Sequence, residues 1–212
     1  RAGASSSDAS TIIPSGIQQG LGVKAGAIYR IHEQGALQST SNKYDIAAMG
    51  PGYFQITLPS GETAYTRSGS FQLNQTGQMV TAQGYTLQPG ITIPSDAVDV
   101  TINSSGQVLV KIQGQTALTN VGQIQTALFP NEGGLEAMGN DLFTVTEASG
   151  AAVVGNPNAP GFGALQQGFL EASNVNVVQE ITSLIQAQRA YEMNSKVIQT
   201  GDQMLNTVTQ LR

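Results

Sequence analysis

The sequence predicts a mainly β protein: a compact antiparallel β domain followed by one long C-terminal α-helix of coiled-coil type. Three observations carry this. Short β-type runs follow one another from Ala27 to Phe129, at a spacing of about ten residues, with turn residues between them. The last forty residues, Ser173 to Arg212, hold no Pro and no Gly but Gly201, and their apolar side chains return at intervals of three and four. The first twenty-five residues, rich in Ser, Gly and Ala, show neither period. The resulting division is an extended loop over 1–25, a β-rich domain over 26–170 and a core helix over 171–212.

In chain order, the opening segment carries Pro14 and glycines at 3, 16, 20 and 22. Gly20-Leu-Gly22-Val-Lys-Ala-Gly26 lacks the G-x-G-x-x-G spacing, and no strand precedes it, so it reads as loop rather than as a phosphate cradle. The expected strands are Ala27–Ile31, Tyr44–Ala48, Tyr53–Thr57, Ala64–Arg67, Phe71–Leu73, Met79–Thr81, Val98–Ile102, Val108–Ile112 and Gln123–Phe129. Pro59-Ser-Gly61, Asn74-Gln-Thr-Gly77 and Asn103-Ser-Ser-Gly106 stand between them, where Asn folds back on its own backbone and Gly supplies positive φ. Residues 131–163, dominated by Gly, Asn and Pro, read as loops. Residues 162–171 lead into the helix.

For the helix, Asn176 is the expected N-cap, with Gln179 placed to reach back as in a capping box. Glu192 and Lys196 form an i,i+4 pair in the favourable order. From Val177 to Leu211 such a helix extends roughly 50 Å at about 1.5 Å per residue, too long to lie across one small domain. One heptad line is unbroken through Val177, Leu184, Tyr191, Ile198 and Leu205. The line beside it degrades from Ile181 to Gln188, Ser195 and Asp202. Two readings fit this stripe: packing against another helix or chain, and docking on the protein's own β domain. With Ile185, Arg189 and Val208, these residues make up the candidate assembly surface.

Composition narrows the function classes. Charged residues are only 11% of the chain, against roughly 25% in ordinary soluble domains, and Gly and Gln take their place. Such a surface suits a protein packed among copies of itself. The net charge of −5 and the lack of a basic cluster argue against a nucleic-acid partner. With no Cys there is no disulfide framework, thiolate metal site or thiol nucleophile. No apolar run approaches the length of a membrane span, and residues 1–8 contain no signal-peptide core. The missing initiator Met raises the expectation of a fragment.

His32 is the sole histidine and reads as a surface or hydrogen-bonded side chain in a strand. The acidic residues Asp96, Asp99, Glu132, Glu136 and Asp141 could in principle supply a glycosidase pair, but they read as turn and solvated-face residues. No catalytic residue, cofactor site or metal site is expected.

Several stretches carry a resemblance. Ser173-Asn-Val-Asn-Val177, Gln188-Arg-Ala-Tyr-Glu-Met-Asn-Ser-Lys196 and Asp202-Gln-Met-Leu205 resemble the C-terminal signature of bacterial flagellar axial proteins, the rod and hook family. Gly50-Pro-Gly-Tyr-Phe54, Tyr65-Thr-Arg-Ser-Gly-Ser-Phe71 and Gly77-Gln-Met-Val-Thr81 recur in the order of that family, with Ser68 where it usually has an acidic or amide residue. Glu192 and Ser195 resemble the distal rod branch rather than the hook, which tends to read Gln-Arg-x-Tyr-Gln-x-Asn-Ala. Pro14, Ser15, Gly16 and Gly22 match that branch's long loop.

The resemblance implies a structural subunit that forms a homo-oligomeric helical tube, the hollow drive shaft that carries torque to the hook. It implies other rod subunits, hook protein and surrounding ring proteins as partners, and no small-molecule substrate. It further implies export by the flagellar secretion system to a basal body spanning the periplasm. In this family an N-terminal helix, expected ahead of Arg1, pairs with the C-terminal one. The alternatives are a hook or proximal rod subunit and, in another class, a cell-wall glycan-binding or hydrolysing module built on Glu132, Glu136 and Asp141.

Overall fold

The computed structural model describes residues 4–5, 12–13 and 30–210, with backbone alone at 4–5, 12–13, 205 and 208–210. Contacts divide the chain into two units, 1–31 and 32–212. In the first, β1 (Ala4–Ser5) and β2 (Ile12–Ile13) pair antiparallel, Ala4 opposite Ile13. Pro14, Ser15, Gly16 and Gly22 lie outside the described residues. So do Ala27, Ile28 and Tyr29 of the first expected strand, and Arg30 and Ile31 belong to no strand.

The second unit is an antiparallel β body followed by one helix. Its strands are β3 (Leu37–Ser39), β4 (Ile46–Met49), β5 (Tyr53–Thr57), β6 (Thr63–Thr66), β7 (Phe71–Leu73), β8 (Met79–Thr81), β9 (Thr86–Gln88), β10 (Ala97–Ile102), β11 (Gln107–Ile112) and β12 (Leu118–Gln123). There follow β13 (Thr126–Leu128), β14 (Glu136–Gly139), β15 (Leu142–Thr144), β16 (Val153–Gly155), β17 (Ala164–Gln167) and β18 (Phe169–Glu171). The main sheet runs β14-β15-β6-β5-β9-β8-β7, with β13 pairing β5 and β16. A second sheet is β10-β11-β12, and two ribbons join β17 to β4 and β18 to β3.

Alternation sets the second sheet: Val100 and Ile102 on β10 and Val108 and Val110 on β11 point inward while their neighbours are more exposed. They meet Phe54, Phe71, Met79 and Leu87 from the main sheet, with Ile46 of β4 and Ile91 of the segment after β9, in one core, where Phe54 and Phe71 stack edge to face at 5.3 Å. Each such side chain contributes about 1.5–3 kcal/mol by leaving water. The body therefore has an ample core of its own, and among the described residues none of it comes from the helix.

The two Asn-Gly turns are the same device used twice. Asn74 Oδ1 accepts from the N–H groups of Thr76 and Gln78, and Asn103 Oδ1 accepts from the N–H of Gln107 and the hydroxyl of Ser105. In each, the Gly stands at positive φ (78° at Gly77, 83° at Gly106) and its carbonyl takes an N–H from a later segment, Ile93 or Ile124. A Cβ at Gly77 would lie 2.3 Å from the Ile93 carbonyl oxygen, and one at Gly106 2.6 Å from that of Ile124. These turns thus need glycine for space as well as for φ.

The sequence reading needs four corrections. Residues 131–163 are not wholly loop: they hold a short 3-10 turn (Glu132–Gly134), β14, β15 and β16. The expected strand Gln123–Phe129 is split, because β12 ends at Gln123 and a separate β13 pairs with β5 and β16. The β structure runs on through Glu171, past the expected boundary at 170. The strands β3 and β9 were not expected, and β17 and β18 occupy what reads as a lead-in. For β17 and β18 the pairing partner, distant in sequence, decides the strand: Leu165 faces Ala48 and Leu170 faces Gln38.

Candidate assembly surface

The helix α1 (Val177–Gln210) begins where its cap predicts: Asn176 Oδ1 accepts from the N–H groups of Val178 and Gln179, at 3.1 and 3.3 Å. The expected Glu192–Lys196 contact is not formed; the ion pairs among the described residues are Lys43–Asp99 and Arg67–Glu171. From Val177 to Thr200 every residue is exposed. The helix therefore does not dock on its own β body, which removes one of the two readings of its stripe. Val177, Ile181, Leu184, Tyr191 and Ile198 are all more than half exposed, and Ile185 is 42% exposed. Arg189 stands exposed among them. The side chains of Leu205 and Val208 lie outside the described ones.

An apolar stripe this long in water is poorly stabilised by its own chain, since most helical stability in proteins comes from packing of the apolar face. Met193, Val197 and Met204, at 62–70% exposed, widen the apolar area beyond the single heptad line.

A neck joins helix and body. Strands β3 and β18 pair as a ribbon, Leu37 opposite Glu171 and Ser39 opposite Phe169, extended by the Ala172 N–H donating to Ala36 O. Asn174 Nδ2 donates to Glu33 O at 3.1 Å beyond it. Beneath the neck, Arg67 donates from Nε to Glu171 Oε2 at 2.7 Å. The sequence reading passed over Arg67 and Glu171. A guanidinium at the end of a buried strand in so sparsely charged a chain was the available signal.

The residues considered for chemistry are dispersed. Asp99 pairs with Lys43 at the surface, and that hydrogen bond holds the Asp99 carboxyl below its ordinary range and raises the Lys43 ammonium. Asp96 and Glu136 are exposed, and Asp141 sits exposed in a turn with φ of 59°. Glu132 accepts from the Tyr53 hydroxyl at 3.3 Å, and the same hydroxyl stands 3.1 Å from His32 Nδ1. Burial, then the nearby Glu132 carboxylate, pushes the Tyr53 phenol well above its ordinary value; burial raises Tyr65 too. His32 packs edgewise on Tyr53 and Phe143. Among the described residues no group of three or more His, Asp or Glu could hold a metal.

Comparison with known proteins follows the same division. Residues 47–110 match the family described as the flagellar hook protein FlgE/F/G D1 domain, and residues 166–211 match the flagellar basal body rod FlgEFG protein C-terminal family. The whole chain is 59% identical to the flagellar basal-body rod protein FlgG of Caulobacter vibrioides, of which it covers 81%. Identity to FlgG of Agrobacterium fabrum is 50%, over 93% of this chain and 76% of the relative. Identity to FlgG of Bacillus subtilis is 43%, over 92% of this chain and 75% of the relative.

Proposed function

This chain belongs to the FlgG family of flagellar basal-body rod proteins, and we propose that its exposed helix is the surface through which copies pack into the shaft. It is a structural subunit of the flagellar distal rod, located in the basal body, where it assembles with other rod and hook proteins. The observation that carries the packing proposal is the exposure of Val177, Ile181, Leu184, Tyr191 and Ile198 on a helix that its own body leaves uncovered.

In this reading the copies form a homo-oligomeric helical tube, with the helices in its inner wall and the β bodies outside. Other rod subunits, the hook protein and the surrounding rings are its neighbours. The tube spans the periplasm, its subunits arrive by flagellar export, and torque passes along it to the hook. The segment holding Pro14, Ser15, Gly16 and Gly22 bridges neighbouring copies. The role is mechanical rather than enzymatic. That reading is supported by the bond that Glu132 accepts from the Tyr53 hydroxyl and by the exposure of Glu136 and Asp141.

The test is a chromosomal copy of the full-length gene shortened by residues 177–210. Basal bodies isolated from that strain should stop short of the distal rod and carry no hook. Complete hook–basal bodies containing the shortened protein would overturn the proposal.

A further inference from the structure

We propose that Arg67 and Glu171 form a latch that fixes the neck, and the helix beyond it, at a set angle to the β body. Four hydrogen bonds converge on the Arg67 guanidinium. Nε donates to Glu171, Nη1 to the Gly52 carbonyl, and Nη2 to the carbonyls of Gly50 (2.7 Å) and Ala48 (3.3 Å). Gly50 and Gly52 both stand at positive φ, 99° and 146°, in the turn between β4 and β5. A planar fork with five donors can span a carboxylate and three carbonyls at once; a lysine ammonium cannot. The guanidinium also lies 5.9 Å from the centre of the Tyr53 ring.

From the neck side, Glu171 uses its second oxygen to accept the Gly35 N–H at 2.8 Å, so one carboxylate holds both the incoming and the outgoing chain. Gly35 lies so close to Ala172 that a Cβ there would stand 1.8 Å from the Ala172 carbonyl oxygen. Gln34 adds a second tie: its Nε2 donates to Ala48 O and its Oε1 accepts from the Gly50 N–H, both at 2.9 Å. Leu37, Phe169 and Leu170 of the neck belong to none of the buried apolar clusters. The neck is therefore oriented by polar contacts of fixed direction, and the pair at its centre is largely buried, with side-chain exposures of 22% and 12%. Removing one member leaves the other charge without its partner, a far larger perturbation than losing a surface pair.

The latch belongs to the single chain and stands or falls apart from the rod reading. Because the chain has no Cys, spin labels on Gln72→Cys in the body and Val175→Cys past the neck report that angle without interference. Both positions are exposed. The parent should give one narrow distance distribution by pulsed electron resonance. Arg67→Lys and Glu171→Gln should each lose that narrow peak for a broad one while the thermal transition of the body persists. Glu171→Gln leaves every contact of Arg67 with the body in place, so it decides the matter alone if Arg67→Lys fails to fold. An unchanged narrow peak in Glu171→Gln would overturn the proposal.

Discussion

Leu184→Asp separates assembly from folding in this protein. Leu184 is 58% exposed in the free chain. About half of the roughly 1.5–3 kcal/mol of a fully buried leucine thus remains to be gained when a neighbour covers it, or ~1–2 kcal/mol. A carboxylate at the same place forfeits that gain and adds a desolvation penalty of several kcal/mol if the seam stays dry. A total of about 3–5 kcal/mol per copy corresponds to a loss of roughly two to three and a half orders of magnitude in association. The folded β body should not register the change, because among the described residues no core cluster includes a helix residue. The assay pairs thermal unfolding of the purified variant with electron microscopy of basal bodies and swimming of cells carrying it in the full-length gene. An unchanged transition with loss of rods and motility is expected. Loss of the transition would make the helix part of the body's core, and normal rods would refute the seam.

Further outcomes follow from the same geometry. In the monomeric chain, amide exchange should show weak protection over residues 177–210 beside strong protection over 53–81; strong protection of the helix in a monomer would contradict the account. Deleting residues 5–13 from the full-length protein should give shafts that bend more in micrographs, and shafts as straight as the parent's would remove the bridging role of the loop. The raised phenols of Tyr53 and Tyr65 mean that the folded state holds those protons more tightly than the unfolded state does. Their contribution is present in full below the ordinary value of 10.0 and is lost as pH rises through the higher folded values. Stability against denaturant should thus fall steeply above pH 10, and less so in Tyr53→Phe; equal slopes would contradict this.

How much of this was legible depended on the distance over which each element is decided. Val100 and Ile102 against Val108 and Val110 alternate within a hairpin whose turn is written as Asn103 and Gly106, so their strands can be read locally. Asn176 and the uninterrupted apolar period mark the helix just as plainly. By contrast, Ala164–Gln167 shows no strand period, and only its register with Ile46–Met49, far back in the chain, makes it one. Asn140 and Asp141, both at positive φ, disguise the β14–β15 hairpin as loop composition. The stripe of the helix could be read, but not what covers it, because period alone does not distinguish a partner from the chain's own body. Arg67 went unread for a similar reason: three of its four acceptors are backbone carbonyls, which leave no trace in sequence.

The central claim is that the stripe is bare in the free chain and covered in the shaft. With no Cys among these 212 residues, an Ile198→Cys substitution in the full-length protein measures this directly through the rate of maleimide labelling at that position. Ile198 is 66% exposed, so labelling of the purified monomer should be fast. In isolated basal bodies the same cysteine should be protected, and it should become reactive again when the rods are dissociated by acid. Equal labelling rates in monomer and basal body would contradict the account.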